Sequence, residues 1–307
     1  MLASPRGFCA GVERAISIVE KALQKYGVPI YVRHEIVHNK TVVADLRKKG
    51  AIFIEKLNEA PKDAVVVFSA HGVPVSVVEE AGERKLISID ATCPLVKKVH
   101  SAVKHHDGNQ TRVMLIGHKG HPEVEGTMGQ LDEGKVQLVG SVEDVMILEA
   151  APDEEIAYTT QTTLSVDETR HVIEALKEKF PHIKGPEKGD LCYATTNRQL
   201  AIRELIPQVD ILLVVGSANS SNSNRLREMG EEEGKPSYLV DGPLNLKLNW
   251  FEGVKSVGIS SGASAPENLV QGVIRWIEKQ FPDSETEESV LIKEDIHFPI
   301  PKELRDA

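Results

Sequence analysis

Three stretches of this 307-residue chain follow one pattern, and that pattern leaves few folds open. Each begins at a cysteine (Cys9, Cys93 or Cys192), passes through a helical stretch, and reaches an apolar run that ends in a polar loop. The runs are Pro29–Val32, Val113–Ile116 and Ile211–Val215, and their loops place His38, His121 and Ser221 29, 28 and 29 residues beyond the cysteines. A second apolar run follows in each stretch, Ala64–Phe68, Ile156–Thr159 and Val257–Ile259, and ends in a loop carrying His71, Thr162 or Ser264. Short apolar runs alternating with helical segments predict an α/β fold with largely parallel sheets. In such sheets ligands gather at loops leaving the carboxyl ends of strands, so six polar loops and three thiols are expected to serve a shared centre. The repeat sets lobes of βαβ type at 1–92, 93–191 and 192–281 in a threefold arrangement, with a tail over 282–307. Four residues precede Pro5, so the first strand is expected to be short. The acidic stretch 282–288 predicts a link to an irregular tail, in which Phe298-Pro299-Ile300-Pro301 packs back on the body.

Helix periodicity is clear in three places. Gly11–Tyr26 carries Val12, Ala15, Ile16, Val19 and Leu23 on one stripe, Asp167–Phe180 carries Val172, Ile173 and Leu176, and Asn268–Phe281 carries Leu269, Val270, Val273, Ile274 and Ile277. A net charge of −10 argues against a general nucleic-acid binder. No apolar stretch approaches membrane-helix length, and the start lacks a basic region followed by an apolar core. A cytoplasmic protein without a membrane or nucleic-acid partner is expected, as a monomer or homodimer. Three cysteines, an odd number, make a disulfide framework improbable.

The plain reading of a lone cysteine is an inert core thiol, but recurrence at three matching points argues for a shared role. Each precedes a helix, where the dipole and open N–H groups favour thiolate. Three converging thiolates suit either zinc or an iron–sulfur cluster. Zinc sites usually show a closely spaced ligand pair, absent here, which favours a cluster with one iron left open. Gly117–Gly126 is dense in His118, His121, Glu123 and Glu125; alone it also reads as a hydrolase metal loop, without the helical HExxH spacing. A carboxyl shielded there, Glu123 or Glu125, would have a raised pKa and could donate a proton. Gly216–Arg225, with Ser220, Ser221 and Asn222, has the hydroxyls and amides to take a phosphate but lacks a P-loop lysine. His38, His71, His121 and Ser264 extend that anion set. His105 and His106 read as a solvated helix end, His100, His171 and His182 as helix-surface residues, and His34 as a strand end.

Pro5–Val12, Asp90–Val96, Gly120–Gly126, Gln161–Ser165, Cys192–Arg198 and Ser220–Arg225 together resemble the 4-hydroxy-3-methylbut-2-enyl diphosphate reductases, over nearly the whole chain. The resemblance implies an iron–sulfur oxidoreductase of the non-mevalonate isoprenoid pathway. It would reductively remove the hydroxyl of an allylic diphosphate, giving isopentenyl and dimethylallyl diphosphates. It further implies a three-lobed α/β trefoil with one [4Fe-4S] cluster on Cys9, Cys93 and Cys192 at its centre, the fourth iron open to substrate. His38, His71, His121, Ser220, Ser221, Asn222 and Ser264 would line the diphosphate pocket, Thr162 the hydroxyl end, and Glu123 would deliver the proton. Electrons would come singly from a donor such as ferredoxin or flavodoxin.

Overall fold

The computed structural model describes residues 1–107, 111–151, 154–187 and 189–305. In chain order the elements are β1 (Leu2–Ser4), α1 (Ala10–Tyr26), β2 (Ile30–Arg33), α2 (Lys40–Lys48), β3 (Ala51–Ile54), β4 (Val65–Phe68), α3 (Val75–Glu83) and β5 (Ile87–Asp90). Next come α4 (Pro94–Asp107), β6 (Arg112–Ile116), α5 (Pro122–Met128), β7 (Val136–Val139), α6 (Val142–Ile147), β8 (Ile156–Thr160) and α7 (Val166–Lys179). The rest are α8 (Tyr193–Leu205), β9 (Ile211–Val215), α9 (Ser221–Glu232), β10 (Ser237–Val240), β11 (Val257–Ser261), α10 (Glu267–Gln280) and β12 (Glu288–Val290). They form an α/β fold with three sheets, ordered β10-β9-β11-β1-β12, β3-β2-β4-β5 and β7-β6-β8. Every strand pairing in them is parallel. Parallel strands covered on both faces read as continuous apolar runs, and β9, Ile-Leu-Leu-Val-Val, is buried along its whole length.

The chain divides into two compact units. The first comprises Met1–Glu13, Val37–Asp45 and Tyr193–His297 and contains the five-stranded sheet. The short β1 lies inside that sheet: Leu2 pairs with Ile259 of β11, and Leu2–Ser4 pair with Glu288–Val290 of β12. The strand opening the first repeat thus hydrogen-bonds a strand of the third. On α10, Val270, Val273, Ile274 and Ile277 are buried with Leu2, Leu213 and Val215, each such side chain contributing about 2 kcal/mol by area. The second unit comprises Arg14–Ile36, Leu46–Cys192 and Phe298–Ala307 and contains the other two sheets.

Four sequence expectations need correction. The stretch 282–288 does not lead into a wholly irregular tail, because β12 finds an open edge of β1 to pair with. On α1 the fully buried stripe runs through Ala15, Ile18, Val19 and Ala22, while Ile16 and Leu23 are only partly covered. Both stripes have helical spacing, so tertiary packing and not local pattern chooses between them. The loop expected over Gly117–Gly126 is shorter than that: 117–121 is irregular, and α5 begins at Pro122, whose missing N–H costs nothing at the first helical position. His100 is not a surface residue either. It is pressed against Gly72 (φ +82°), where an added Cβ would meet its Cε1 at 2.5 Å, and burial lowers its pKa to about 4. The expected return of the tail does occur within the second unit: Arg14 Nε donates to the Pro299 carbonyl at 2.8 Å and Leu304 is buried.

Candidate functional site

All six polar loops leave carboxyl ends of strands, as do Cys9 after β1 and Cys93 after β5. The three cysteines, none in a disulfide, share one backbone arrangement. The Cys9 N–H donates to the Ala263 carbonyl (3.1 Å), that of Cys93 to Ala70 (2.9 Å) and that of Cys192 to Thr162 (3.0 Å). Each thiol-bearing residue is thereby fastened to a polar loop within its own unit, the one carrying Ser264, His71 or Thr162.

In the first unit, the Cys9 segment is clamped by neighbours. Gly7 N–H donates to Ser261 Oγ at 2.7 Å, and Ala10 N–H to the Tyr193 phenol at 3.0 Å. Burial pushes that phenol up to about 12, so it stays protonated. Arg198, whose side chain has no exposed surface, donates to Gly7 O at 2.8 Å and to Glu294 Oε1 at 3.1 Å. The Cys9 thiol departs from the thiolate expectation: burial raises its pKa and outweighs the backbone N–H groups of Val12 and Gly11. Arg198→Met is expected to lower the unfolding free energy by about 3 kcal/mol, because it strips a buried charge pair and the anchor of this segment. An unchanged urea midpoint would remove Arg198 from that role.

The same unit holds the anion candidates. Ser220 caps α9, its Oγ accepting from Ser223 N–H at 3.3 Å and from Ser223 Oγ–H at 2.9 Å, and Ser221 is the first helical residue. Asn222 is buried, yet among the described residues neither its Oδ1 nor its Nδ2 has a hydrogen-bond partner. Buried amides are normally satisfied, so this side chain has hydrogen-bonding capacity that the described residues do not use. Ser264 Oγ donates to the His38 carbonyl at 2.9 Å, and Asn219 Nδ2 lies 3.4 Å from His38 Nδ1. Residue-type reasoning passed over Ser217, which holds the His38 loop by accepting the Lys40 N–H at 3.1 Å and donating to Asp241 at 2.8 Å. It lies inside the Gly216–Arg225 run, but its long-range partners left no local mark.

The second unit links its candidates in a chain of contacts. His71, one residue beyond the carbonyl that holds Cys93, meets His121 edge to face with centroids 5.7 Å apart. Ser69 Oγ sits 3.2 Å from His71 Nδ1. His121 caps α5, its Nδ1 accepting the Glu123 N–H at 3.1 Å, which leaves the ring proton on Nε2. Glu123 is 3% exposed. Its Oε1 accepts the Thr162 N–H at 2.6 Å and its Oε2 the Thr162 hydroxyl at 3.0 Å. Thr162 in turn receives Cys192 through its carbonyl. Burial pushes the Glu123 carboxyl up to about 7; the Thr162 hydrogen bonds pull against it, and the like charge of Asp190 adds to it. Near neutral pH such a carboxyl can carry a proton and give it up. Gln161, also unassigned from sequence, accepts the His118 N–H at 3.0 Å and supports the loop.

The hydrolase reading of Gly117–Gly126 is not supported by this geometry, since both Glu123 oxygens and His121 Nδ1 are already engaged. Among the described residues no three His, Cys, Asp or Glu side chains surround a point suited to a single metal ion. A four-iron cluster spreads its thiolates more widely than one ion does. Three soft sulfur donors and no fourth cysteine in the chain fit a cluster with one iron lacking a protein thiolate.

The LytB protein family model matches residues 1–278. The chain belongs to the LytB family. Curated LytB relatives are named 4-hydroxy-3-methylbut-2-enyl diphosphate reductase. That of Ectopseudomonas mendocina is 56% identical over 99% of this chain and 98% of its own length. That of Haemophilus influenzae is 55% identical with the same coverage. A solved structure of the E-1-hydroxy-2-methyl-but-2-enyl-4-diphosphate reductase from Plasmodium falciparum superposes with a TM-score of 0.96 at 38% identity, covering 99% of this chain and 95% of that one. The chain is thus a LytB-family enzyme. Among the described residues no helix is long and apolar enough to cross a membrane.

Proposed function

We propose that this chain reduces (E)-4-hydroxy-3-methylbut-2-enyl diphosphate to isopentenyl diphosphate and dimethylallyl diphosphate, the last step of non-mevalonate isoprenoid precursor synthesis. The allylic C–O bond breaks, the oxygen leaves as water with one proton, and two electrons with a second proton complete a new C–H bond. Hydroxide is a poor leaving group, so a proton must meet it as the bond breaks. The observation that carries the reading is Glu123, a wholly buried carboxyl with its pKa near 7, held by Thr162.

Cys9, Cys93 and Cys192 are proposed to hold one [4Fe-4S] cluster, which when bound supplies a Lewis-acidic open iron and a path for single electrons. An outside donor such as a ferredoxin or flavodoxin provides those electrons. His38, Ser220, Ser221, Asn222 and Ser264, with His71 and His121, orient the substrate by its diphosphate. Binding energy from that remote group serves to position the reacting end. Thr162 holds Glu123 on one side and meets the substrate hydroxyl on the other. The His121 tautomer presents an Nε2–H to an anion.

The test is turnover. Protein prepared and reconstituted without oxygen, given the allylic diphosphate and a low-potential one-electron reductant, is expected to yield both C5 diphosphates. Binding without turnover in fully loaded protein would overturn the enzymatic reading.

A further inference from the structure

The helix that carries Glu123 is only seven residues long, too short to hold its position by its own backbone bonds. Val124 anchors one side in an apolar cluster with Val103, Val113 and Leu115. The other side lies on the loop that follows His71, and there the approach is close. A Cβ on Gly126 would meet the Gly72 carbonyl carbon and oxygen at 3.1 Å, and one on Gly129 would meet Pro74 Cβ at 2.4 Å. The Val75 N–H donates to Gly129 O at 2.9 Å. Across this contact lies Gln130, buried, whose Nε2 donates to Val73 O of the loop at 2.8 Å and to Gly126 O of the helix at 2.6 Å. One amide nitrogen spends both hydrogens joining two segments that no other side-chain hydrogen bond described for this contact connects.

We infer that Gln130 is a positioning residue for proton delivery: it fastens α5 to the His71 loop and so keeps water from the Glu123 carboxyl. The inference rests on the proton-donor reading of Glu123 and adds the device that sustains it. Burial is the largest cause of the raised Glu123 pKa, so whatever holds the helix down also sets its protonation. Other groups facing it are few. Asp190 opposes ionisation, with Lys98 of α4 3.5 Å from its carboxylate. His121 lies at the head of α5 itself, and His71 on the loop packed against it.

Gln130→Met keeps the length and removes both donors. In the full-length chain, the protonation of Glu123 is read by infrared difference titration, with Glu123→Gln identifying its band. The wild-type midpoint is expected at about 7; in Gln130→Met it is expected to fall by about one unit as water gains access, and the alkaline limit of kcat should fall with it. Gly126→Ala presses the same segments apart from the helix side and should shift the midpoint in the same direction, whether or not Gln130→Met folds. A wild-type midpoint in every folded variant, foldedness being checked by melting, would overturn the inference. If Glu123→Gln keeps its turnover, the proton-donor reading falls instead, and the titration still reports whether Gln130 controls the carboxyl.

Discussion

Glu123→Gln should cut turnover by about 10²–10⁴-fold, the usual worth of a positioned general acid, while leaving the chain folded and, at alkaline pH, more stable. The two effects have one cause. Glutamine fills the same space, its Oε1 can still accept the Thr162 N–H, and its Nε2 can donate to the Thr162 hydroxyl, so both contacts of Glu123 survive. Only the transferable proton is lost. The folded pKa of about 7 lies above the ordinary 4.5, so the folded state holds a proton that the unfolded chain releases between those values. The cost of ionising this buried carboxyl is therefore absent below about 4.5, grows as pH rises, and is complete above about 7, where it approaches about 3 kcal/mol. Glutamine avoids that cost. Unfolding titrations should show wild type and variant alike below pH 4.5 and the variant more stable above 7, while wild-type turnover declines on the alkaline side of 7. Near-normal turnover in the variant would end the proton-donor role, and equal stability at every pH would mean that the carboxyl is not buried as the geometry has it.

What could be read in advance follows from the range of the forces concerned. The runs at 113–116 and 211–215 became β6 and β9 because parallel strands covered on both faces need unbroken apolar sequence. The threefold spacing of the cysteines reflected a real structural regularity, seen in three equivalent N–H bonds to loop carbonyls. Those bonds were themselves invisible, since a backbone donor leaves no trace in residue type. The same limit hid β12, whose Glu288-Ser289-Val290 has little intrinsic strand character and pairs because β1 offers an edge. The α5 segment looked like a loop because of its glycines and Pro122; residue 126 is glycine because the Gly72 backbone lies where a side chain would be. Ser217, Gln130 and Arg198 each act through at least one partner 24 or more residues away. Only the fold could expose them, whereas chemistry alone marked the three thiols and narrowed the proton donor to Glu123 or Glu125, between which the family resemblance chose.

Replacing Cys93 by serine is expected to abolish the cluster, and with it all turnover, while sparing the fold. The backbone bond from residue 93 to the Ala70 carbonyl does not depend on the side chain. Pro94 still opens α4, and serine is a favoured residue before a helix. What changes is the donor atom: a hard hydroxyl, protonated at any accessible pH, in place of a soft thiol that the metal deprotonates. With three cysteines in the chain there is no spare ligand. The first quantities to measure are iron, acid-labile sulfide and zinc per chain after oxygen-free preparation. About four irons and four sulfides in the wild type, and loss of both in a Cys93→Ser protein that melts like the cluster-free wild type, would assign the defect to the missing sulfur. Unchanged iron and sulfide in the variant would remove Cys93 from the ligand set. Stoichiometric zinc without sulfide in the wild type would remove the cluster itself, and the burial of Glu123 would then have to serve a different chemistry.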